Sequence, residues 1–420
     1  MKEKNFRLAI LLLFFTATSA LGASSLEVKP DDLPKLLSDR NQNVRGSALM
    51  VDAAEAKTGH LARSYLPTLN FEVGGETFQT GSYPTKTEPY GLLEAKLNLF
   101  RGGKDLLEER INRAQVRLAD AQSKQVTSAE LVNTRKLYWT LVFQREEILI
   151  LKDALEQNEK NLNAANRRIQ RGLTSDTDRL DFEINRDQLK EDIKSLEHEA
   201  ELTQIKLRAL LALSEDVEIK TLAVIPHDHD EELLKTKFQG EGNFHVETVK
   251  ASGEVSENQS ARENRWWTPT LDLYAGYYLY TLRDRDYLSI GQRDDRVAGI
   301  RLTFQLFDGF QAKSIASSYS IQAQAYENQA IQKRRDTEAD FTLAKEEMQH
   351  MHELIHQAEK RIEQGKLYLS KTLSEYDRGV KNSPDVLGAI LRQNQFRRRY
   401  AEIRKNYVFS KAELLSILGK

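Results

Sequence analysis

The chain has 420 residues, 30% of them charged, yet a formal charge of only −2 at pH 7, with 8 Pro, 21 Gly, 8% aromatic residues and no cysteine. The near-neutral balance, with no Lys/Arg cluster interleaved with aromatics, argues against nucleic acid as a partner. The missing cysteine excludes disulfides, thiol catalysis, Cys-based metal sites and a lipid-modified N-terminal cysteine.

At the N-terminus, Lys2, Lys4 and Arg7 precede an apolar run, Leu8 to Phe15, and the small residues Ala17, Ser19, Ala20, Gly22 and Ala23. A basic start, an apolar stretch too short to span a bilayer and a small-residue exit predict a signal peptide over residues 1–22, with cleavage between Ala20 and Ala23. No later stretch resembles a transmembrane helix, so a membrane role requires β-strands or the surface.

The remainder is one unit written twice, at an offset of about 207 residues. Tyr65-Leu-Pro-Thr-Leu-Asn-Phe71 is matched by Trp267-Thr-Pro-Thr-Leu-Asp-Leu273, and Leu97-Asn-Leu-Phe-Arg-Gly-Gly103 by Phe304-Gln-Leu-Phe-Asp-Gly-Phe310. Arg171-Gly-Leu173 is matched by Arg378-Gly-Val380, and Ala209-Leu-Leu-Ala-Leu-Ser214 by Leu414-Leu-Ser-Ile-Leu-Gly419. The first repeat covers 23–214: a helix, a β-hairpin over about 66–100, a long helix over about 104–170, a tip turn at 171–176 and a returning helix over about 177–213. After a polar linker and the start of the second repeat, 215–264, residues 265–420 give a hairpin (about 267–307), a long helix (about 311–377), a tip turn (378–384) and a returning helix (about 385–418).

The hairpins follow from period-two alternation. Leu93, Ala95, Leu97 and Leu99 alternate with Glu94, Lys96 and Asn98, and Ala298, Ile300, Leu302, Phe304 and Leu306 with Gly299, Arg301, Thr303 and Gln305. Each is preceded by a candidate strand, Leu69 to Phe78 and Leu271 to Leu282, across the polar loops Gln79 to Pro89 and Arg283 to Asp295. Strands of about ten residues with one apolar and one polar face suit a transmembrane β-barrel. Four strands are too few to enclose a lumen, since small closed barrels need about eight, so several chains must contribute.

The long helices follow from coiled-coil spacing. Leu107, Ile111, Ala114, Leu118 and Ala121 alternate steps of four and three, and Leu141, Ile148, Leu155, Leu162 and Ile169 recur every seventh residue. The second half repeats this with Ala316, Tyr319, Ala323, Tyr326 and Ala330, then Met351, Ile355, Ala358 and Ile362. About 70 residues of helix make a rod of roughly 100 Å, too long for a compact domain.

Each rod ends in a glycine turn, Arg168-Ile-Gln-Arg-Gly-Leu-Thr-Ser-Asp-Thr-Asp178 and Glu375-Tyr-Asp-Arg-Gly-Val-Lys-Asn-Ser-Pro-Asp385. Glycine supplies the cap, the basic residue suits the negative helix end, and Ser, Asp and Pro start the returning helix.

On these residues the whole mature chain resembles the TolC family of outer-membrane efflux proteins, or outer membrane factors. The resemblance implies a mainly α fold with a small β part. Three protomers would give four strands each to a twelve-stranded β-barrel in a Gram-negative outer membrane, continuous with a periplasmic α-helical barrel. It implies a passive, non-enzymatic exit duct of a tripartite efflux pump or type I secretion system, without cofactor or bound metal. The implied partners are a periplasmic adaptor, an inner-membrane transporter and outer-membrane lipid, and the cargo would be drugs, metal ions or proteins. The adaptor would dock at the tip turns Arg171, Gly172, Leu173, Arg378, Gly379 and Val380. The family's gate falls here on Asp178 and Tyr376, with Lys381 as its basic residue and Thr177 before the gate Asp. Asp385 matches the first member of a lumenal aspartate ring; the second position is Gly388. A Lys381 to Asp178 contact near water contributes about 0 to 1 kcal/mol per pair.

Two further motifs carry other expectations. His352-Glu-Leu-Ile-His356 matches the zinc-protease pattern but lies one residue off the Met351 and Ile355 stripe, in a charged coiled coil with no cavity to make it catalytic. His227-Asp-His-Asp230 belongs to the polar linker. No phosphate loop or nucleophile elbow is present. A soluble periplasmic coiled-coil adaptor or scaffold is the alternative to the duct.

Overall fold

A computed structural model describes residues 25–78, 85–171, 176–226, 231–238, 240, 242–280 and 293–419. The expected signal peptide, the tip residues Gly172 and Leu173, the His227–Asp230 motif and the outer parts of both hairpin loops lie outside the described residues. In chain order the elements are β1 (Ser25–Glu27), α1 (Leu33–Arg40), α2 (Gln42–Glu55), α3 (His60–Arg63), β2 (Thr68–Phe78), β3 (Lys86–Phe100), α4 (Lys104–Gln170) and α5 (Asp176–Leu210). The second half carries β4 (Glu218–Lys220), α6 (Glu231–Lys235), α7 (Phe244–Glu263), β5 (Thr270–Tyr280), β6 (Arg293–Thr303), α8 (Gln311–Asp377) and α9 (Ser383–Ile417).

Both long helices have 67 residues and both returning helices 35, and the four boundaries of the first pair recur 207 residues later. The heptad residues make the seams. Leu107, Ile111, Ala114, Ala121, Leu141 and Ile148 are buried on α4, as are Ala316, Ala330, Met351, Ile355 and Ala358 on α8. Near the strands the helices lie in the order α2, α4, α7, α8; towards the tips the order is α5, α4, α9, α8.

The two hairpins join edge to edge into one antiparallel sheet, β2-β3-β5-β6. Its register sets Phe71 opposite Leu93, Leu97 opposite Leu273, and Leu273 opposite Ile300. Directly paired residues point to the same side, so these form one apolar face, and Leu69, Phe71, Val73, Ile300 and Leu302 are exposed on it. The other face is ionised and internally paired. Lys96 Nζ lies 2.9 Å from the buried Asp272, the Tyr90 hydroxyl donates to Glu72 at 2.8 Å, and the Arg301 guanidinium sits 4.4 Å from the Tyr274 ring centre. The described ladders leave the outer edges of β2 and β6 without a partner strand.

Three expectations need revising here. The alternation read through Leu306 ends as strand at Thr303, and Leu306 is 89% exposed just beyond the sheet. The loops are shorter than read: β3 takes in 86–89 and β6 takes in 293–295. The stretch 215–264 is not simply a polar linker. β4 pairs in parallel with β1 into a small second sheet, and α7 packs between α4 and α8.

α7 is the counterpart of α2. Both are capped by an asparagine, Asn41 and Asn243, whose amide donates to the carbonyl of the last residue of a returning helix, Leu210 at 3.0 Å and Ile417 at 2.8 Å. The buried face of α7 is Phe244, Val246, Ala251, Ser256 and Ser260, and Ser260 Oγ donates to Ala316 O at 2.8 Å. Serines that bond to backbone fill an interface without leaving an apolar period in the sequence.

Around this middle level lies the larger core, built on Tyr138, Leu141, Leu207, Ile219, Met348, Ile355 and Tyr407, with Leu33 and Leu37 of α1 closing it.

Candidate functional site

The candidate site is the tip, where α8 turns into α9 beside the ends of α4 and α5. α8 ends at Asp377; Gly379 takes φ +78°, and Val380 N–H bonds to Glu375 O at 2.9 Å while Gly379 N–H bonds to Tyr376 O at 2.9 Å. This is a Schellman closure, which requires a left-handed residue after the cap and so favours glycine. Asn382 and Asp385 then cap α9 reciprocally, at 3.3 and 3.4 Å, with Pro384 in the first turn. Val380 is left 71% exposed at the apex.

Behind the turn is a separate small core of Leu162, Ala165, Phe182, Leu369, Tyr376, Val386, Ala389 and Ile390. Tyr376 is 1% exposed. Its ring meets Phe182 edge-on at 6.3 Å, and the Arg168 guanidinium lies over the ring at 4.4 Å. Arg168 Nη1 also donates to Tyr376 O at 2.7 Å. Burial raises the Tyr376 hydroxyl above its ordinary pKa and the Asp178 carboxylate adds to this, while Arg168 opposes them.

Ser383, fully buried, donates from Oγ to Asp178 Oδ1 at 2.6 Å and is 3.0 Å from Asp181 Oδ2. Arg168 thus holds Tyr376 and Ser383 holds Asp178, as two separate contacts, with the Asp178 carboxylate near enough to act on the Tyr376 hydroxyl. Lys381 differs from the expectation. It pairs with Asp385 at 3.6 Å, four residues along its own turn, rather than with Asp178. Both partners are 39% exposed, so the pair is a solvated one. Thr177 and Arg171 are exposed. At Gly388 an added Cβ would meet nothing within 4 Å.

Arg168 and Ser383 were not singled out as site residues by sequence reasoning. Ser383 reads as an ordinary helix-start residue, and Arg168 as a basic residue favourable to the negative end of a helix.

The His352 and His356 rings meet edge-on at 5.1 Å, and His356 lies 3.5 Å from Glu359. Among the described residues no three His, Asp or Glu side chains converge as metal ligands. No described helix is long and apolar enough to cross a membrane.

Two 67-residue helices thus lie beneath a four-stranded sheet with one apolar and one ionised face. Residues 33–213, the first repeat, match the family model described as outer membrane efflux protein. Among solved structures the fold is similar to VceC of Vibrio cholerae, at 14% identity and TM-score 0.78, covering 93% of this chain and 96% of that one. It is similar to CusC, at 14% and 0.77, covering 93% and 91%. It is also similar to the open state of MtrE of Neisseria gonorrhoeae, at 14% and 0.73, covering 100% and 97%. No curated protein matches the sequence.

Proposed function

We propose that the chain is one of three identical subunits of a passive exit duct in the outer membrane of a Gram-negative bacterium, closed at its periplasmic tip. The observation that carries this is the β2-β3-β5-β6 sheet. It has four strands, two unpaired edges, an exposed apolar face and an ionised one. A soluble sheet hides its apolar face, and an open edge inside a bilayer leaves backbone groups unsatisfied. Three copies joined β6 to β2 remove every edge, turn the apolar face to lipid and the Lys96–Asp272 face to a water-filled lumen.

In this reading an inner-membrane transporter and a periplasmic adaptor drive drugs, metal ions or proteins through the duct, or serve type I secretion. The adaptor docks on Arg171, Gly172, Leu173, Arg378, Gly379 and Val380, of which Arg171, Arg378, Gly379 and Val380 are described and exposed. The gate comprises Asp178, Tyr376, Thr177, Lys381 and Asp385. Its closed state needs only a few kcal/mol in total, which an adaptor's differential binding can reverse.

Membrane fractionation with chemical cross-linking tests the assembly. A detergent-extracted trimer with mixed helix and strand circular dichroism is expected. A monomer in the soluble periplasmic fraction would instead establish the coiled-coil adaptor or scaffold reading.

A further inference from the structure

We propose that Arg168 is a latch of the tip: it holds the end of α8 against the end of α4 through Tyr376, and its release is part of opening. This rests on the tip being the gate.

The contact is twofold. The guanidinium stacks on the Tyr376 ring at 4.4 Å and donates Nη1 to the carbonyl of the same residue at 2.7 Å. That carbonyl lies in the last turn of α8, where the helix dipole presents its negative end, so cation, ring face and carbonyl reinforce one another. With Phe182 edge-on at 6.3 Å and the ring 1% exposed, Tyr376 has little freedom while Arg168 is in place. An added Cβ at Gly379 would sit 3.8 Å from Arg168 Nη2, so the side chain reaches alongside the turn itself.

Placement gives the contact its meaning. Arg168 belongs to the first repeat and Tyr376 to the second. Ser383–Asp178 is likewise a tie between repeats, α9 to α5. Lys381–Asp385 lies within the second repeat and cannot hold one repeat to the other. Movement of the α8–α9 pair away from α4–α5 must therefore break the Arg168 and Ser383 ties, and can leave Lys381–Asp385 intact.

The repeat also shows that the latch is not a by-product of general coiled-coil packing. Advancing Arg168 by the repeat offset lands on Glu375, and moving Tyr376 back by it lands on Ile169. The reciprocal contact thus has a carboxylate in place of the cation and an aliphatic side chain in place of the ring. Where the elements themselves are duplicated to the residue, this pair is specialised on one side only.

The test uses the full-length trimer in planar bilayers. Arg168→Gln and Tyr376→Leu should each raise the open fraction on the order of tenfold, since each removes the stacking of cation on ring. The double variant should open no further than Arg168→Gln alone, because that change already removes both the stack and the bond to the 376 carbonyl, whereas Tyr376→Leu removes only the stack. Arg168→Lys, which keeps a cation able to sit over the ring but loses the planar fork, should restore closure in part. Wild-type conductance in Arg168→Gln at an unchanged trimer melting temperature overturns the latch, as do additive effects in the double variant. If Arg168→Gln does not assemble, Tyr376→Leu carries the same test, and full closure there overturns the proposal. Asp178→Ala with Lys381→Ala separates the two levels. If that variant opens while Arg168→Gln stays shut, the latch fails and the gate stands; if none of the variants opens, the gate reading fails as well.

Discussion

Ser383 Oγ donates to Asp178 Oδ1 at 2.6 Å and so ties the first turn of α9 to the first turn of α5. A buried hydroxyl bonded to a carboxylate contributes about 1.5 to 3 kcal/mol, against about 0 to 1 for the solvated Lys381–Asp385 pair. The gate residues should accordingly differ in weight. Asp178→Ala with Lys381→Ala is expected to raise single-channel conductance, with Asp178→Ala supplying most of the effect and Ser383→Ala reproducing part of it. Bilayer recordings of the single variants decide the order, and Lys381→Ala opening as widely as Asp178→Ala would refute it.

Glu109 predicts a pH dependence at the sheet end of α4. Its burial works to raise the carboxyl, but the Arg113 side chain, bonded at 2.9 Å, and the backbone N–H groups of Gly59 and Leu61 outweigh burial and hold it below the ordinary value of 4.5. A lowered carboxyl stabilises the fold fully above its unfolded pKa and loses that contribution as pH falls through the folded one. Hydrogen exchange of residues 42–64, corrected for intrinsic rates, should be level near neutrality and quicken only under acid, below that ordinary value. Glu109→Gln should quicken it at neutral pH and flatten the acid response; identical profiles in both proteins would mean that Glu109 does not hold the 59–61 backbone.

Tyr138 joins the N-terminal strand to the chain between the repeats. Its hydroxyl, fully buried, donates to Val28 O at 3.0 Å and accepts from Leu222 N–H at 3.2 Å. Tyr138→Phe keeps the ring and its edge-on contact with Trp139 at 5.0 Å but orphans both backbone groups. The expected cost is about 1 to 3 kcal/mol, read as a lower melting temperature and faster proteolysis near residue 28. An unchanged melt would mean that water replaces the hydroxyl.

Gly388 offers the opposite kind of experiment. Since an added Cβ meets nothing there, Gly388→Asp should leave trimer stability within about 0.5 kcal/mol of wild type. With Asp385 one helical turn earlier it would double the carboxylates at the constriction. Block of the open channel by a trivalent cation added to the periplasmic side should then tighten, and an unaltered block would place position 388 away from the lumen.

Elements with a strong period were legible in the sequence. The Leu107–Ile111–Ala114 and Met351–Ile355–Ala358 stripes are buried as their spacing requires, and Leu93, Ala95 and Leu97 share one face of β3, up to the register shift between Asn98 and Phe100. α7 was not legible, because Ser256 and Ser260 do the work of core residues while reading as solvated ones. The matching caps Asn41 and Asn243 could have revealed it, as two asparagines opening corresponding helices. At the tip, residue types showed a turn and a cap, whereas the choice of Asp385 over Asp178 by Lys381 is a matter of ångströms that spacing does not encode.

The equal lengths of the helices carry a consequence for how such a chain can change. Because α4 and α8 end level, Arg168 finds Tyr376, and because α5 and α9 begin level, Ser383 finds Asp178. Removing one heptad from α8 alone would draw its end back by about 10 Å and part both pairs at once. A lineage can lengthen or shorten these rods only by heptads inserted or deleted together in all four helices, so the span between sheet and tip is inherited as a fixed ruler.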